Sequence, residues 1–225
     1  DLISPQLERE IKPSEVTVGA GAKFIIYAAL TAVLDPGDEV IVPSPFWVSY
    51  PTMVELAGGY AKIIRCEQDT DFKMTAQQLR EAITPQTKVL LLNSPSNPTG
   101  AEYSLSELHE IAKVLRDHPE IAIISDDIYN QLSFNKEKLS PHILNAAPEL
   151  FERCISINGM SKAYAMTGWR IGWAVGPEVV IKAMASFQSQ TTGASSSISQ
   201  WASVTALTKC ADDVATALQA LKERK

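Results

Sequence analysis

Short apolar runs alternate with amphipathic stretches along most of the chain. The runs 39–42, 61–66, 88–92, 121–125, 154–158 and 170–175 are rich in Ile, Val and Leu and bounded by Pro, Gly, Asp or Asn, which predicts strands. Helical periodicity fills the intervals 23–34, 47–57, 75–83, 104–116 and 177–190, and a charged helical stretch follows at 218–225. Ser104-Leu105-Ser106-Glu107 has the spacing of a capping box, in which hydroxyl and carboxylate satisfy free N–H groups at a helix start. Asp35-Pro36-Gly37-Asp38 forms a turn that stops one helix before the next strand. Strands that are apolar throughout are covered on both faces, as in a mainly parallel sheet. The predicted fold is α/β, a three-layer α/β/α sandwich with a mainly parallel mixed sheet. Ligands of such sheets bind beyond the carboxyl ends of the strands, so the residues there decide the chemistry.

Composition narrows the function classes. The chain has 225 residues, 45% hydrophobic and 20% charged, and is most simply one large domain. A net charge of −6 gives no basic field for nucleic acid or anionic lipid, which favours small-molecule substrates. Cys66, Cys154 and Cys210 show no metal-ligand spacing, so no metal is expected. Their odd number and the lack of a secretion signal point to a reducing cytoplasm. No apolar run approaches the roughly 18 residues of a membrane helix. The start at Asp1 and the charged end suggest a piece trimmed at both ends.

Five segments at strand ends or helix starts carry candidate chemistry. Ser161-Lys162 is followed eight positions on by Arg170, among small and apolar residues. A lysine amine becomes a nucleophile toward aldehydes when burial or a neighbouring cation lowers its pKa. An arginine holds a phosphate dianion through its planar fork of donors. Together they meet the needs of pyridoxal phosphate, although a buried strand with a cation at each end would read the same way. Val18-Gly19-Ala20-Gly21-Ala22-Lys23 runs into a helix whose free N–H groups attract an anion, yet it fits neither the Walker nor the dinucleotide pattern. Pro43-Ser44-Pro45-Phe46-Trp47-Val48-Ser49-Tyr50-Pro51 can present a flat indole face, on the order of 1 kcal/mol for a stacked ring. Asn93-Ser94-Pro95-Ser96-Asn97-Pro98-Thr99-Gly100 fixes an asparagine before a proline, where its amide can donate to a phenolate or carboxylate. Ser125-Asp126-Asp127-Ile128-Tyr129 ends a buried strand in carboxylates that need a protonated partner. Spacing does not decide which aspartate turns inward.

In this order and spacing the segments resemble the large domain of fold-type-I, class I aminotransferases, closest to the bacterial aspartate aminotransferase subgroup. The resemblance spans nearly the entire chain and is most specific from Lys162 to Arg170-Ile171-Gly172. It implies pyridoxal 5′-phosphate as cofactor, attached to Lys162, with Asp126 as partner of the ring nitrogen. It also implies donors to the ring oxygen at Tyr129 and Asn97, ring stacking by Trp47, and phosphate contacts from Gly21, Ala22, Lys23 and Arg170. Lys162, Asp126 and Tyr129 are the implied catalytic residues, and Trp47 and Asn97 reach a substrate carboxylate. Asp127 replaces the family's usual glutamate.

The implied reaction is transamination between an amino acid, aspartate, and a 2-oxo acid, 2-oxoglutarate. The alternatives are aromatic, prephenate or alanine transamination, a β-lyase activity, or a cofactor-binding piece without turnover. A ring cation near Asp126 is expected to depress its pKa. Ser44-Pro45 and Asn97-Pro98 are expected to be cis. Gly159 stands where some members place a phosphate-binding serine. The resemblance further implies a homodimer, and residues 1–225 read as the large domain without the family's N-terminal arm and C-terminal small domain.

Overall fold

A computed structural model describes residue 7 and residues 9–134 and 139–224. It contains a seven-stranded sheet of β1 Val16–Gly19, β2 Glu39–Ser44, β3 Tyr60–Arg65, β4 Thr87–Asn93, β5 Ala122–Asp126, β6 Cys154–Gly159 and β7 Gly172–Val175, in the order β1-β7-β6-β5-β4-β2-β3. Strands β2 to β6 pair in parallel, while β7 is antiparallel to both β6 and β1. The main helices are α1 Ala22–Val33, α2 Ser49–Leu56, α3 Ala76–Ala82, α4 Leu105–Arg116, α5 Ile143–Ala146, α6 Glu178–Gln190, α7 Ser197–Lys209 and α8 Ala211–Glu223.

The alternation of side chains along the strands builds the layers. Val40, Val42, Val89, Leu91 and Ile124 turn to one face and join Ile25, Leu30, Tyr50, Met53, Ile181 and Met184 of α1, α2 and α6. Ile41, Leu90, Leu92 and Ile123 turn to the other and join Leu79, Leu108, Ile111, Leu115 and Ile143 of α3, α4 and α5. Both faces of the central strands are therefore buried, as their unbroken apolar character requires. The capping box at Ser104 and Glu107 is formed. Arg153, just before β6, donates to the carbonyls of Leu115, His118 and Ile121 at 2.6–2.8 Å, fastening the end of α4.

The structure corrects the expected elements in places. The run 170–175 becomes a strand only from Gly172, because Arg170 closes the 3-10 turn Thr167–Trp169 in a left-handed conformation, φ 53°. Strand β1 and helix α7 were not predicted. The first is a four-residue edge strand with Val18 exposed, and the second buries mainly Ser199, Ser203 and Ala206, so neither shows a clear apolar period. Helix α8 overlaps the predicted 218–225 stretch, whose Lys225 lies outside the described residues.

One feature of the sheet positions α1. Gly19 pairs with Gly172, and Gly172 with Gly159, across β1, β7 and β6. A Cβ on Gly172 would overlap the backbone nitrogen of Ala22, so this glycine row lets the N-terminus of α1 settle directly on the strand ends. Among the described residues, no helix is long and apolar enough to cross a membrane, and no group of three or more His, Cys, Asp or Glu could hold a metal ion.

Candidate active site

The carboxyl ends of β4, β5 and β6 and the starts of α1 and α2 enclose a cavity of about 220 Å³, room for a ring-sized ligand rather than a single water. Ala22, Lys23, Trp47, Asn97, Asp126, Tyr129, Lys162 and Arg170 all line it. Gly21 sits just outside, against the Arg170 guanidinium. The sequence-predicted residues are thus brought together. Tyr50, Asn93, Ser161 and Thr167 line the cavity as well, although the sequence assigned them no role.

Successive side chains at the end of β5 point to opposite faces, and this separates the two aspartates. Asp126 turns into the cavity, where Oδ2 accepts from the Tyr50 hydroxyl at 2.6 Å and Oδ1 from the Ile128 N–H at 3.2 Å. Asp127 turns away and accepts from the hydroxyls of Ser125 at 2.7 Å and Ser156 at 2.6 Å. His142 Nε2 lies 3.1 Å from Asp127 Oδ2 but outside hydrogen-bond geometry. Burial pushes the Asp126 carboxyl up to about 6, the Tyr50 hydroxyl and Ile128 N–H pull it back, Asp127 raises it, and Lys162 lowers it. The depression expected from a ring cation is not produced by the protein's own groups. Their net effect is a buried acid poised near neutrality, which fits a cationic N–H partner.

Behind Asp126, the Asn93 carboxamide donates to the Asp126 carbonyl at 2.8 Å and accepts from the Asn97 N–H at 2.9 Å. This side chain ties the end of β4 to that of β5 and sets Asn97 at the cavity wall. The sequence marked Asn93 only as the start of a turn; its position as the last residue of an apolar strand was the available signal. The Ser44-Pro45 and Asn97-Pro98 bonds are cis, as expected, and so is Ser94-Pro95.

An anion cradle forms where α1 meets Arg170. The helix ladder begins with Ile25 N–H to Gly21 carbonyl at 3.3 Å, so the N–H groups of Ala22, Lys23 and Phe24 precede it and face outward from the helix start. Arg170 Nη1 donates to the Thr167 carbonyl at 2.8 Å and Nη2 reaches the Ala20 carbonyl at 3.4 Å, placing the guanidinium beside these donors. Gly21 adopts φ 90°, ψ 158°, a region open essentially to glycine, and a Cβ there would overlap Arg170 Nη2. Gly21→Ala is expected to cost on the order of 1–3 kcal/mol of stability and to weaken phosphate-ester binding by displacing Arg170, read by thermal melts and ligand titration. Gly159 leaves no room for a serine side chain: a Cβ there would lie 2.8 Å from the Ile171 carbonyl oxygen.

Two lysines flank the cavity. Lys162 occupies the turn after β6 and is exposed, with Nζ 5.4 Å from the Tyr129 ring centroid. The burial expected of Lys162 is therefore not supplied by the described residues, because the turn carries it beyond the sheet. Lys23 contributes more than backbone: its Nζ lies 4.8 Å from the Trp47 ring centroid, within cation–π reach. The Trp47 indole in turn meets the Tyr50 ring edge-on, at 5.4 Å and 89°. The cavity thus combines primary amines, an anion cradle, an aromatic wall and a buried carboxyl, the donor set that a phosphorylated aromatic aldehyde with a basic ring nitrogen requires.

Residues 2–225 match the family described as aminotransferase class I and II. The aspartate/prephenate aminotransferase of Cereibacter sphaeroides is 47% identical over 227 residues, covering 99% of this chain and 56% of that protein. Among solved structures, the aspartate aminotransferase of Rhizobium meliloti superposes with a TM-score of 0.94 at 43% identity, covering 99% of this chain and 56% of the other. The Thermus thermophilus aspartate aminotransferase with maleate gives a TM-score of 0.87 at 40% identity, with 99% and 57% covered. The chain spans about half the length of the relatives it matches.

Proposed function

Because this chain belongs to the class I and II aminotransferase family, we propose that its cavity binds pyridoxal 5′-phosphate and that the protein transfers the amino group of aspartate to 2-oxoglutarate. The observation that carries the reading is the convergence of Lys162, Asp126 and Arg170 on one cavity of about 220 Å³. When bound, the cofactor supplies a sink for the electrons released at the amino acid's Cα. Arg170 and the first-turn N–H groups of α1 take the phosphate and fix orientation. Asp126 pairs with the ring nitrogen and keeps it protonated. Tyr129 and Asn97 donate to the ring oxygen, and Trp47 forms the wall against which the ring rests. Lys162 would hold the aldehyde through its amine, and the freed Nζ would carry the proton from the amino acid's Cα to the former aldehyde carbon, as general base and then acid.

The Lys23 ammonium adds a positive charge at the Trp47 wall, which suits a dicarboxylate, and maleate in the Thermus relative supports an acidic substrate. The name of the Cereibacter relative favours prephenate as a second oxo acid. In this reading residues 1–225 form the cofactor-binding large domain of a cytoplasmic homodimer. Free cysteines at positions 66, 154 and 210 suit the reducing compartment. The exposed Ile198, Trp201 and Val204 on α7 support association with a second copy.

The test is an absorption spectrum of the chain with pyridoxal phosphate, before and after borohydride, followed by peptide mapping. A stable adduct at Lys162 is expected, and its absence sinks the reading. Transamination with 2-oxoglutarate, prephenate, pyruvate and phenylpyruvate then ranks the oxo acids.

A further inference from the structure

We propose that Tyr50 is a positioning residue of this site, whose buried hydroxyl turns the Asp126 carboxylate toward the cavity and holds it ready to accept a cationic N–H of the ligand. The inference deepens the cofactor reading and rests on it for its functional meaning. It starts from a single contact, the 2.6 Å hydrogen bond from Tyr50 Oη to Asp126 Oδ2. Tyr50 is 2% exposed and Asp126 3%, so little water competes for the bond between them. A hydrogen bond to a charged group in such a site is short, directional and costly to leave unmade.

The two donors on Asp126 divide the work. Tyr50 occupies Oδ2 from α2, and the Ile128 N–H occupies Oδ1 from its own strand end. With an anchor on each oxygen, the plane of the carboxylate cannot rotate, and each oxygen keeps a lone pair for a ligand. Removing the Tyr50 hydroxyl frees that rotation. It also leaves a buried oxygen without its strongest donor.

The charges around Asp126 make the hydroxyl matter more. Asp127 repels it from behind, held by Ser125 and Ser156 beside His142. The cations Lys162, Lys23 and Arg170 lie across the cavity, and of these Lys162 acts appreciably on Asp126. The Tyr50 hydroxyl is the largest influence favouring the anion against burial. Tyr50 keeps its own proton, because burial and the neighbouring carboxylate hold it well above the usual tyrosine range. It therefore serves as a donor throughout the working pH range. Its ring also braces Trp47 edge-on, so one side chain sets two walls of the site.

Tyr50→Phe in the 225-residue chain removes one oxygen and preserves the ring and its contact with Trp47. Carbon-13 carboxyl NMR of the cofactor-free protein should show the Asp126 midpoint rising from about 6 by about one unit or more. Pyridoxal phosphate should bind about 10- to 100-fold more weakly at pH 6–7, the loss shrinking toward pH 8.5 as Asp126 ionises. In the unaltered protein the hydroxyl proton should give a downfield, slowly exchanging signal, missing from both Tyr50→Phe and Asp126→Ala. An unmoved Asp126 midpoint overturns the proposal, as does an unaltered protein without that signal, whether or not the variants fold. A raised midpoint in a chain that takes up no pyridoxal phosphate would confirm the hold of Tyr50 on Asp126 and refute the cofactor reading instead.

Discussion

Replacing Lys162 with alanine is expected to abolish the visible absorption band that the chain acquires with pyridoxal phosphate, and to slow transamination by at least about 10²–10⁴-fold through loss of its proton transfer. Lys162 lies on a turn, exposed to solvent, so its removal should change stability by no more than about 0.5 kcal/mol. Loss of function without loss of fold is the distinguishing result. Lys23 is the internal control, since it is the other lysine lining the cavity. Its Nζ lies over the Trp47 ring, whereas that of Lys162 lies over Tyr129. Lys23→Met should keep the band and lose affinity for dicarboxylates. A band that survives in Lys162→Ala and vanishes in Lys23→Met would reverse the assignment.

What the sequence disclosed, and what it hid, follows from the range of the forces involved. Buried strands such as Val89 to Leu92 in β4 announce themselves, because burial on both faces demands an unbroken apolar run. Edge strand β1 buries little besides Gly19, and α7 turns serines rather than leucines inward, so no periodic signal marks either. The site residues were legible because each follows a strand or opens a helix, where the chain order alone places ligands. Their mutual contacts were not legible. The bond from Tyr50 to Asp126 joins residues 76 positions apart, and only the fold brings the start of α2 to the end of β5. The inward turn of Asp126 rather than Asp127 is likewise a matter of strand phase, fixed by where β5 stops. Arg170 looked like strand because Ile171 to Val175 is apolar, yet its left-handed backbone is what swings the guanidinium back toward Gly21.

Asp126→Ala should let the cofactor attach to Lys162 while slowing proton removal from the amino acid by orders of magnitude, because attachment needs only the amine and electron withdrawal needs a protonated ring. Its buried acid also predicts a pH signature in the cofactor-free chain. Asp126 is pushed from the usual 3.8 up to about 6, so folding favours the neutral acid. The stabilisation is fully present below pH 3.8 and is lost as pH rises through about 6. A difference of about two units corresponds to about 3 kcal/mol, or roughly 6–12 °C in melting temperature for a chain of this size. Between pH 4 and 7 the unaltered chain should therefore lose that much relative to Asp126→Asn, whose amide does not titrate. Pyridoxal phosphate should reverse the loss at pH 7, because a ring cation turns the buried anion from a liability into half of an ion pair. Parallel melting profiles for the two proteins would mean that Asp126 is already ionised in the empty cavity at pH 4. Near-normal turnover in Asp126→Ala would rule out a role for this carboxylate in electron withdrawal. The first outcome is read from Asp126→Asn and the second from Asp126→Ala, so the electrostatic and the chemical functions of this carboxylate can be separated.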